Sequence, residues 1–184
     1  MVEFILFKLF NDNKKITLDR LYNIIGEKII CSEQKNIVCI PYQYSHASRE
    51  KIKRIEKELG LKKYILTNSD FYKILENSLY YNLSIQKINL TEDLEESHQY
   101  LREYINKFNV SNLDNDKYSL IDKIIEELEW CYDEEEIFVK SIEVRMMKNR
   151  NKALYLCIDK YGILSADLEV KEEDILSIVN KCLY

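Results

Sequence analysis

Asp159, Asp167, Glu169 and Lys171 come nearest to a catalytic set in this chain. Spaced carboxylates followed by acid-x-Lys are the arrangement of metal-dependent phosphodiesterases. The acids hold Mg²⁺, and a lysine two residues along a strand stands on the same face, beside the attacking water. Alternation along a strand over 162–170 would put Asp167, Glu169 and Lys171 on one face. The simpler account is a solvated strand face beside a charged helix start. In a chain that is 32% charged, acid-x-Lys also occurs at Asp12/Lys14 and Glu33/Lys35.

Two further clusters suit binding rather than chemistry. Arg49, Lys51, Lys53, Arg54, Lys57, Lys62 and Lys63 crowd one predicted helix and its exit, with Tyr42, Tyr44, His46 and Tyr64 close by in sequence. Cations with aromatics can track a nucleic-acid backbone. Glu50, Glu56 and Glu58 are interleaved, as on any helix solvated by mixed charge. Asp133, Glu134, Glu135 and Glu136 follow Trp130, Cys131 and Tyr132. An acidic loop beside exposed aromatics has the composition of a docking patch for a basic partner. It lacks the spaced oxygens and turn glycine of a calcium loop.

Other chemistry is excluded by composition. The only glycines are Gly26, Gly60 and Gly162, and the only proline is Pro41. Average usage would supply roughly 13 and 9. G-x-G-x-x-G and P-loop cradles need closely spaced glycines, so neither is present. His46 and His98 are too few for a histidine-only metal cluster. His98 falls on the stripe Leu94, Leu101, Ile105 and reads as a packing residue. His46 with Ser45 and Ser48 has no placed acid or oxyanion nest. Five cysteines without a C-x-x-C suit a reducing cytoplasm, as small core residues. No run of 18 apolar residues suggests a membrane span, and Met1–Leu9 reads as a strand rather than a signal peptide. The fourteen tyrosines, with abundant Ile, Asn and Lys, have the cast of an AT-rich bacterial or phage genome.

The elements that must position these residues alternate in the first half. Strands are predicted at Val2–Phe10, Asn36–Tyr42, Lys63–Thr67 and Leu83–Leu90. Helices are predicted at about 18–28, from Ser48 to Leu59, at about 70–81, and after Thr91, where Glu92 and Asp93 favour a helix start. Gly60 stops the second helix, whereas Gly26 falls within or at the end of the first. Apolar runs such as Ile37–Ile40 read as buried strands, so the expectation for residues 1–108 is an α/β domain, βαβαβαβ with a largely parallel sheet. Residues 109–117 read as a polar linker. Residues 118–184 then read as a small α+β unit: a helix over 118–131, an antiparallel meander (137–147, 153–159, 162–170), and a helix carrying Ile175, Ile178, Val179 and Cys182. Lys148–Lys152 and Asp159–Gly162 would be the turns of the meander, and the two halves can pack as one domain.

Residues 37–90 resemble the later part of the restriction-endonuclease-like fold in its Mrr-type form. The rhythm is carried by Ile65-Leu66-Thr67-Asn68-Ser69-Asp70-Phe71 and Ile85-Gln86-Lys87-Ile88-Asn89-Leu90. The positions of the family's catalytic Gln and Lys fall on Ile40 and Tyr42, and Ile29–Glu33 supplies only Glu33 toward its metal-binding acid. The resemblance therefore implies that fold with its catalytic centre lost.

Residues 1–108 hold 17 Lys and Arg against 15 Asp and Glu, a charge of +2; residues 109–184 hold 10 against 17, a charge of −7. An acidic half repels phosphate backbones and suits a basic partner. The leading expectation is a cytoplasmic protein without a catalytic centre or cofactor of its own. It would bind another protein through Trp130, Tyr132, Asp133, Glu134, Glu135 and Glu136, as an inhibitor, an immunity-type antagonist or an accessory regulator. One alternative is a divergent Mg²⁺-dependent nuclease using Asp159, Asp167, Glu169 and Lys171. The other is a nucleic-acid-binding module using Arg49, Lys53, Arg54, Lys57, Lys62 and Lys63.

Overall fold

The computed structural model describes residues 1–10, 14–81, 83–92, 97–149 and 152–183, with side chains for all of these but 97, 98, 148, 149 and 152. Its strands are β1 (Val2–Lys8), β2 (Ile30–Ser32), β3 (Ile37–Tyr42), β4 (Lys62–Lys63), β5 (Leu83–Leu90), β6 (Val139–Asn149), β7 (Lys152–Asp159) and β8 (Ile163–Ala166). Its helices are α1 (Lys14–Ile25), α2 (His46–Leu59), α3 (Asn68–Tyr81), α4 (Ser97–Val110), α5 (Asp114–Glu135) and α6 (Glu172–Cys182).

Along β1, Leu6 points to one side and Ile5 and Phe7 to the other, and all three are buried. Such a strand lies inside a sheet covered on both faces. One sheet runs β2-β3-β1-β8-β7-β6-β5, with β4 beside the far end of β1. Every pairing in it is antiparallel. This corrects the expected largely parallel sheet.

The cause of the difference is local. Ile30–Ser32, too short to show a period, forms a hairpin with β3 through the polar turn Glu33–Asn36, where Asn36 takes φ 54°. The apolar runs of β1 and β3 come from burial on two faces, which antiparallel strands achieve here because helices lie on both sides. β5 pairs with β6 rather than with β4. The sheet thus joins residues from both halves of the chain, through β1–β8 and β5–β6.

Two cores result. Ile5, Phe7, Val38 and Ile40 meet Leu21 and Ile25 of α1 and Ile52 and Ile55 of α2. On the opposite face Leu6, Cys39, Ile85, Ile142, Val144, Leu156 and Leu164 meet buried residues of α3, α4, α5 and α6. Full burial of each such side chain stabilises by about 1.5–3 kcal/mol. The α1–α2 layer spans only the β1–β3 end. Over β5–β8 the described residues leave the sheet roofed on one side, so the fold has a step.

Helix boundaries shift where side chains cap earlier than periodicity implies. Ser45, not Ser48, caps α2 by accepting from the Ser48 amide at 3.2 Å. The expected strand 63–67 shrinks to Lys62–Lys63, because Thr67 caps α3: its Oγ1 accepts from the Asp70 amide at 3.3 Å, and Asp70 Oδ2 accepts from the Thr67 amide at 2.8 Å. The expected linker 109–117 narrows to 111–113, since α4 continues to Val110 and α5 begins at Asp114. Asp93 and the Arg150–Asn151 part of the expected turn lie outside the described residues.

Gly162 closes the β7–β8 turn at φ 74°. A Cβ there would lie 2.2 Å from the Tyr64 carbonyl oxygen, so glycine is what lets this turn touch the chain leaving β4. Among the described residues no helix is long and apolar enough to cross a membrane.

Candidate functional site

The carboxylates of the phosphodiesterase-like pattern are not brought together. β8 ends at Ala166, and residues 167–170 turn rather than continue the strand. This corrects the expected strand 162–170. In the β7–β8 register Cys157 faces Ser165, which puts Asp167 level with Tyr155, four residues from Asp159. The two aspartates are therefore separated by about 13 Å along the hairpin. Each already has a local partner: Asp167 Oδ2 accepts from the Tyr155 amide at 3.0 Å, and Asp159 Oδ1 from the Tyr161 amide at 2.7 Å. Glu169 lies in the turn, and Lys171 is the N-cap position of α6, its amide donating to Asp174 Oδ2 at 3.0 Å. Among the described residues no group of three His, Cys, Asp or Glu side chains could hold a metal ion.

The basic residues share a helix but not a free field. Arg49 stacks over the Tyr44 ring at 4.5 Å and bonds its hydroxyl. Lys53 pairs with Glu50 at 3.0 Å, Arg54 with Glu58 at 3.0 Å, and Lys63 with Glu56 at 3.9 Å. The Lys53 bond holds the Glu50 carboxyl below its ordinary range. Lys57 is exposed on α2, and Lys62 is carried separately on β4. His46 opens α2 instead of lying in a loop, and the side chain of His98 lies outside the described residues.

Asp133, Glu134 and Glu135 form the last turn of α5, and Glu136 takes φ 56° just beyond it. The expected acidic loop is a helix end, continued because Ile124, Leu128 and Cys131 keep one buried stripe. Four acids at the negative pole of a helix oppose its dipole. Trp130 and Tyr132, two residues apart, point to different sides. Tyr132 stacks edge-on against Phe138 with centroids 5.2 Å apart. The aromatics therefore do not form one patch.

Sequence reasoning missed what the step in the fold creates. On the unroofed side, Lys87, Glu143, Cys157, Ser165, Glu3 and Tyr42 stand opposite one another in turn, a single row across β5, β6, β7, β8, β1 and β3. At strand spacing the row is about 24 Å long. Asn89 Nδ2 ties it sideways, donating to Ser141 Oγ at 2.9 Å and Glu143 Oε1 at 3.1 Å. Glu3, Glu143, Asp159 and Asp167 on this side outnumber Lys87 and Arg145. Burial pushes the Cys157 thiol up, and the nearby Glu143 and Asp159 add to the rise, so the thiolate a nucleophile needs is disfavoured. The alternation of Glu143 and Arg145 against Ile142, Val144 and Met146, and of Ser165 and Asp167 against Leu164 and Ala166, is the signal of this surface in the sequence.

At the end of the row, under the first turn of α2, lies a cleft of about 700 Å³. Its floor is Ile5, Ile25, Ile40, Ile52 and Ile55, all buried. Glu3, Tyr42, Tyr44 and Lys51 stand among the polar groups around it, and the rim includes Met1 and Leu168, which are 81% and 75% exposed. Lys51 Nζ donates to the Ile25 carbonyl at 3.0 Å and pairs with Glu27 at 3.4 Å, so its charge serves the end of α1. Among the described residues no cation pairs with Glu3.

No family model, curated protein or solved structure matches the chain, so the resemblance of residues 37–90 to the restriction-endonuclease-like fold is neither supported nor refuted by a relative.

Proposed function

We propose that the protein acts by binding a basic protein partner, without a catalytic centre of its own, as an inhibitor or accessory regulator. The observation that carries this reading is the unroofed side of the sheet, where Glu143 on β6, Asp159 on β7 and Asp167 just past β8 stand half-exposed, with Glu3 of β1 in register beside them. A fixed acidic surface steers and selects a cationic partner at little ordering cost. The separation of Asp159 from Asp167 and the paired cations of α2 support the nuclease and nucleic-acid readings less well.

The test is affinity capture from the native source, comparing three proteins. Wild type and Lys53→Glu/Arg54→Glu should recover the same partner, and Glu143→Lys/Asp159→Lys should lose it. Loss with the α2 variant instead, or release of the captured material by nuclease, would overturn the reading in favour of nucleic acid. A Mg²⁺-dependent hydrolysis by the pure protein that Lys171→Ala abolishes would overturn it in favour of an enzyme.

A further inference from the structure

The cleft under α2 has a shape and chemistry the acidic face alone does not need. Its volume falls within the roughly 300–1,000 Å³ of specific binding pockets. Five isoleucines make a floor with no polar side chain, and exposed Met1 and Leu168 extend the apolar surface to the rim. Glu3 belongs both to the lining and to the acidic row, and Tyr42 ends that row inside the cleft. The unroofed face and the cleft are therefore one continuous surface.

Two ways of using such a groove can be separated. Among the described residues β2 pairs only with Ile37–Cys39 and no other strand covers β3 from Ile40 to Tyr42, so that edge is open along the cleft. Strand addition there would need main-chain donors, and Pro41, in the middle of that edge, has none. Recognition must then work through side chains. We infer that the cleft is an anchor site: it takes a large apolar side chain from a basic segment of the partner protein, while the neighbouring Lys or Arg of that segment meets Glu3 and the Tyr42 ring. This rests on the protein-binding reading above. The charge complementarity is Glu3 in the cleft itself, backed by Glu143 three strands further along the row. A cation over tyrosine beside a carboxylate is attracted by both.

The five floor residues provide the readout. The full chain, methyl-labelled at Ile and Met, is titrated with blocked peptides Gly-Lys-Phe-Lys-Gly, Gly-Glu-Phe-Glu-Gly and Gly-Lys-Ala-Lys-Gly, up to about 1 mM, the weak end of recognition. The Lys-Phe-Lys peptide should shift the methyls of Ile5, Ile25, Ile40, Ile52 and Ile55. The Glu-Phe-Glu peptide should bind about tenfold more weakly or worse, because like charges meet at Glu3. The Lys-Ala-Lys peptide should move Met147 on the unroofed face but not the floor. Glu3→Lys should weaken the Lys-Phe-Lys peptide about tenfold. Ala47→Trp, at the exposed mouth, should block it with the urea midpoint unchanged. Equal binding of the Lys and Glu peptides, or indifference to both variants, overturns the anchor. Peptide shifts at Met147 with a silent floor overturn the anchor and leave the acidic face standing. Silence at both sites overturns both readings.

Discussion

Replacing Gly162 by alanine tests how tightly the β7–β8 turn meets the chain after β4. The added Cβ would sit 2.2 Å from the Tyr64 oxygen and 3.1 Å from its carbonyl carbon. A carbon–oxygen contact needs about 3.3 Å, so the two segments must part by about 1 Å. Three backbone bonds span that junction: the Leu6 amide to the Gly162 carbonyl at 2.8 Å, the Tyr64 amide to the Leu6 carbonyl at 2.8 Å, and the Leu66 amide to the Lys160 carbonyl at 2.9 Å. Weakening two or three of them costs about 1 kcal/mol each, and alanine at positive φ adds about 1–2 kcal/mol, for a total of about 3–5 kcal/mol. In a chain of this size each kcal/mol lowers Tm by about 2–4 °C, so a drop of about 6–20 °C is expected. Gly60→Ala is the matched control. Gly60 has φ 65°, and its added Cβ meets nothing within 4 Å. It should lose only the conformational part, about 1–2 kcal/mol or about 2–8 °C, and less than Gly162→Ala. Thermal unfolding followed by circular dichroism reads both. Equal losses for the two variants would refute the close approach.

Asn109 of α4 holds the edge of β5 as a neighbouring strand would, accepting from the Ile85 amide at 3.1 Å and donating to the Ile85 carbonyl at 2.6 Å. Asn109→Ala should cost about 2 kcal/mol in urea unfolding and increase concentration-dependent association in size-exclusion chromatography, because both edge groups lose their partner. Burial pushes the Cys39 and Cys182 thiols up to about 12, against 9.0 for a free thiol. The unfolded chain therefore releases these protons first, and stability present below pH 9 is lost as pH rises toward 12. The slope approaches about 1.4 kcal/mol per pH unit per thiol. Urea midpoints measured from pH 8 to 11 should fall, and Cys39→Ala should flatten the fall; a flat wild-type profile would contradict it. The same burial should leave Cys39, Cys131 and Cys182 unlabelled by maleimide at neutral pH in the native protein, with Cys31 and Cys157 labelled first. Because Asp159 and Asp167 cannot share an ion, Mg²⁺ should leave Tm unchanged, and a concentration-dependent rise would reinstate the site.

The features legible in the sequence are local. The stripe Ile175, Ile178, Val179 and Cys182 is the buried face of α6, and Ile142, Val144 and Met146 line the inner side of β6. Each pattern needs only one neighbour to bury against, so a period is enough to reveal it. Strand direction was not legible. Ile37–Ile40 is buried on two faces, and that run looks the same whether its neighbours are parallel or antiparallel. The deciding features were a three-residue strand, Ile30–Ser32, and a pairing of β1 with β8 across more than 150 residues. Neither leaves a period in the sequence.

The candidate site was hidden for the same reason. Glu3, Tyr42 and Glu143 are ordinary residues in separate segments, and only the register Glu143–Cys157–Ser165–Glu3–Tyr42 puts them in a row. The clusters that did stand out in sequence, residues 133–136 and the cations of α2, are contiguous. Contiguity on a helix spreads side chains around the axis and lets i,i+3 and i,i+4 pairs neutralise them, as Lys53–Glu50 and Arg54–Glu58 do. A sheet works the other way, since distant segments present one face in fixed register. The step that ends the α1–α2 layer above β1 leaves that face open and at the same place undercuts α2 to form the cleft. Position along the sheet, rather than local charge density, is therefore what selects Glu3 as the residue whose reversal should matter most.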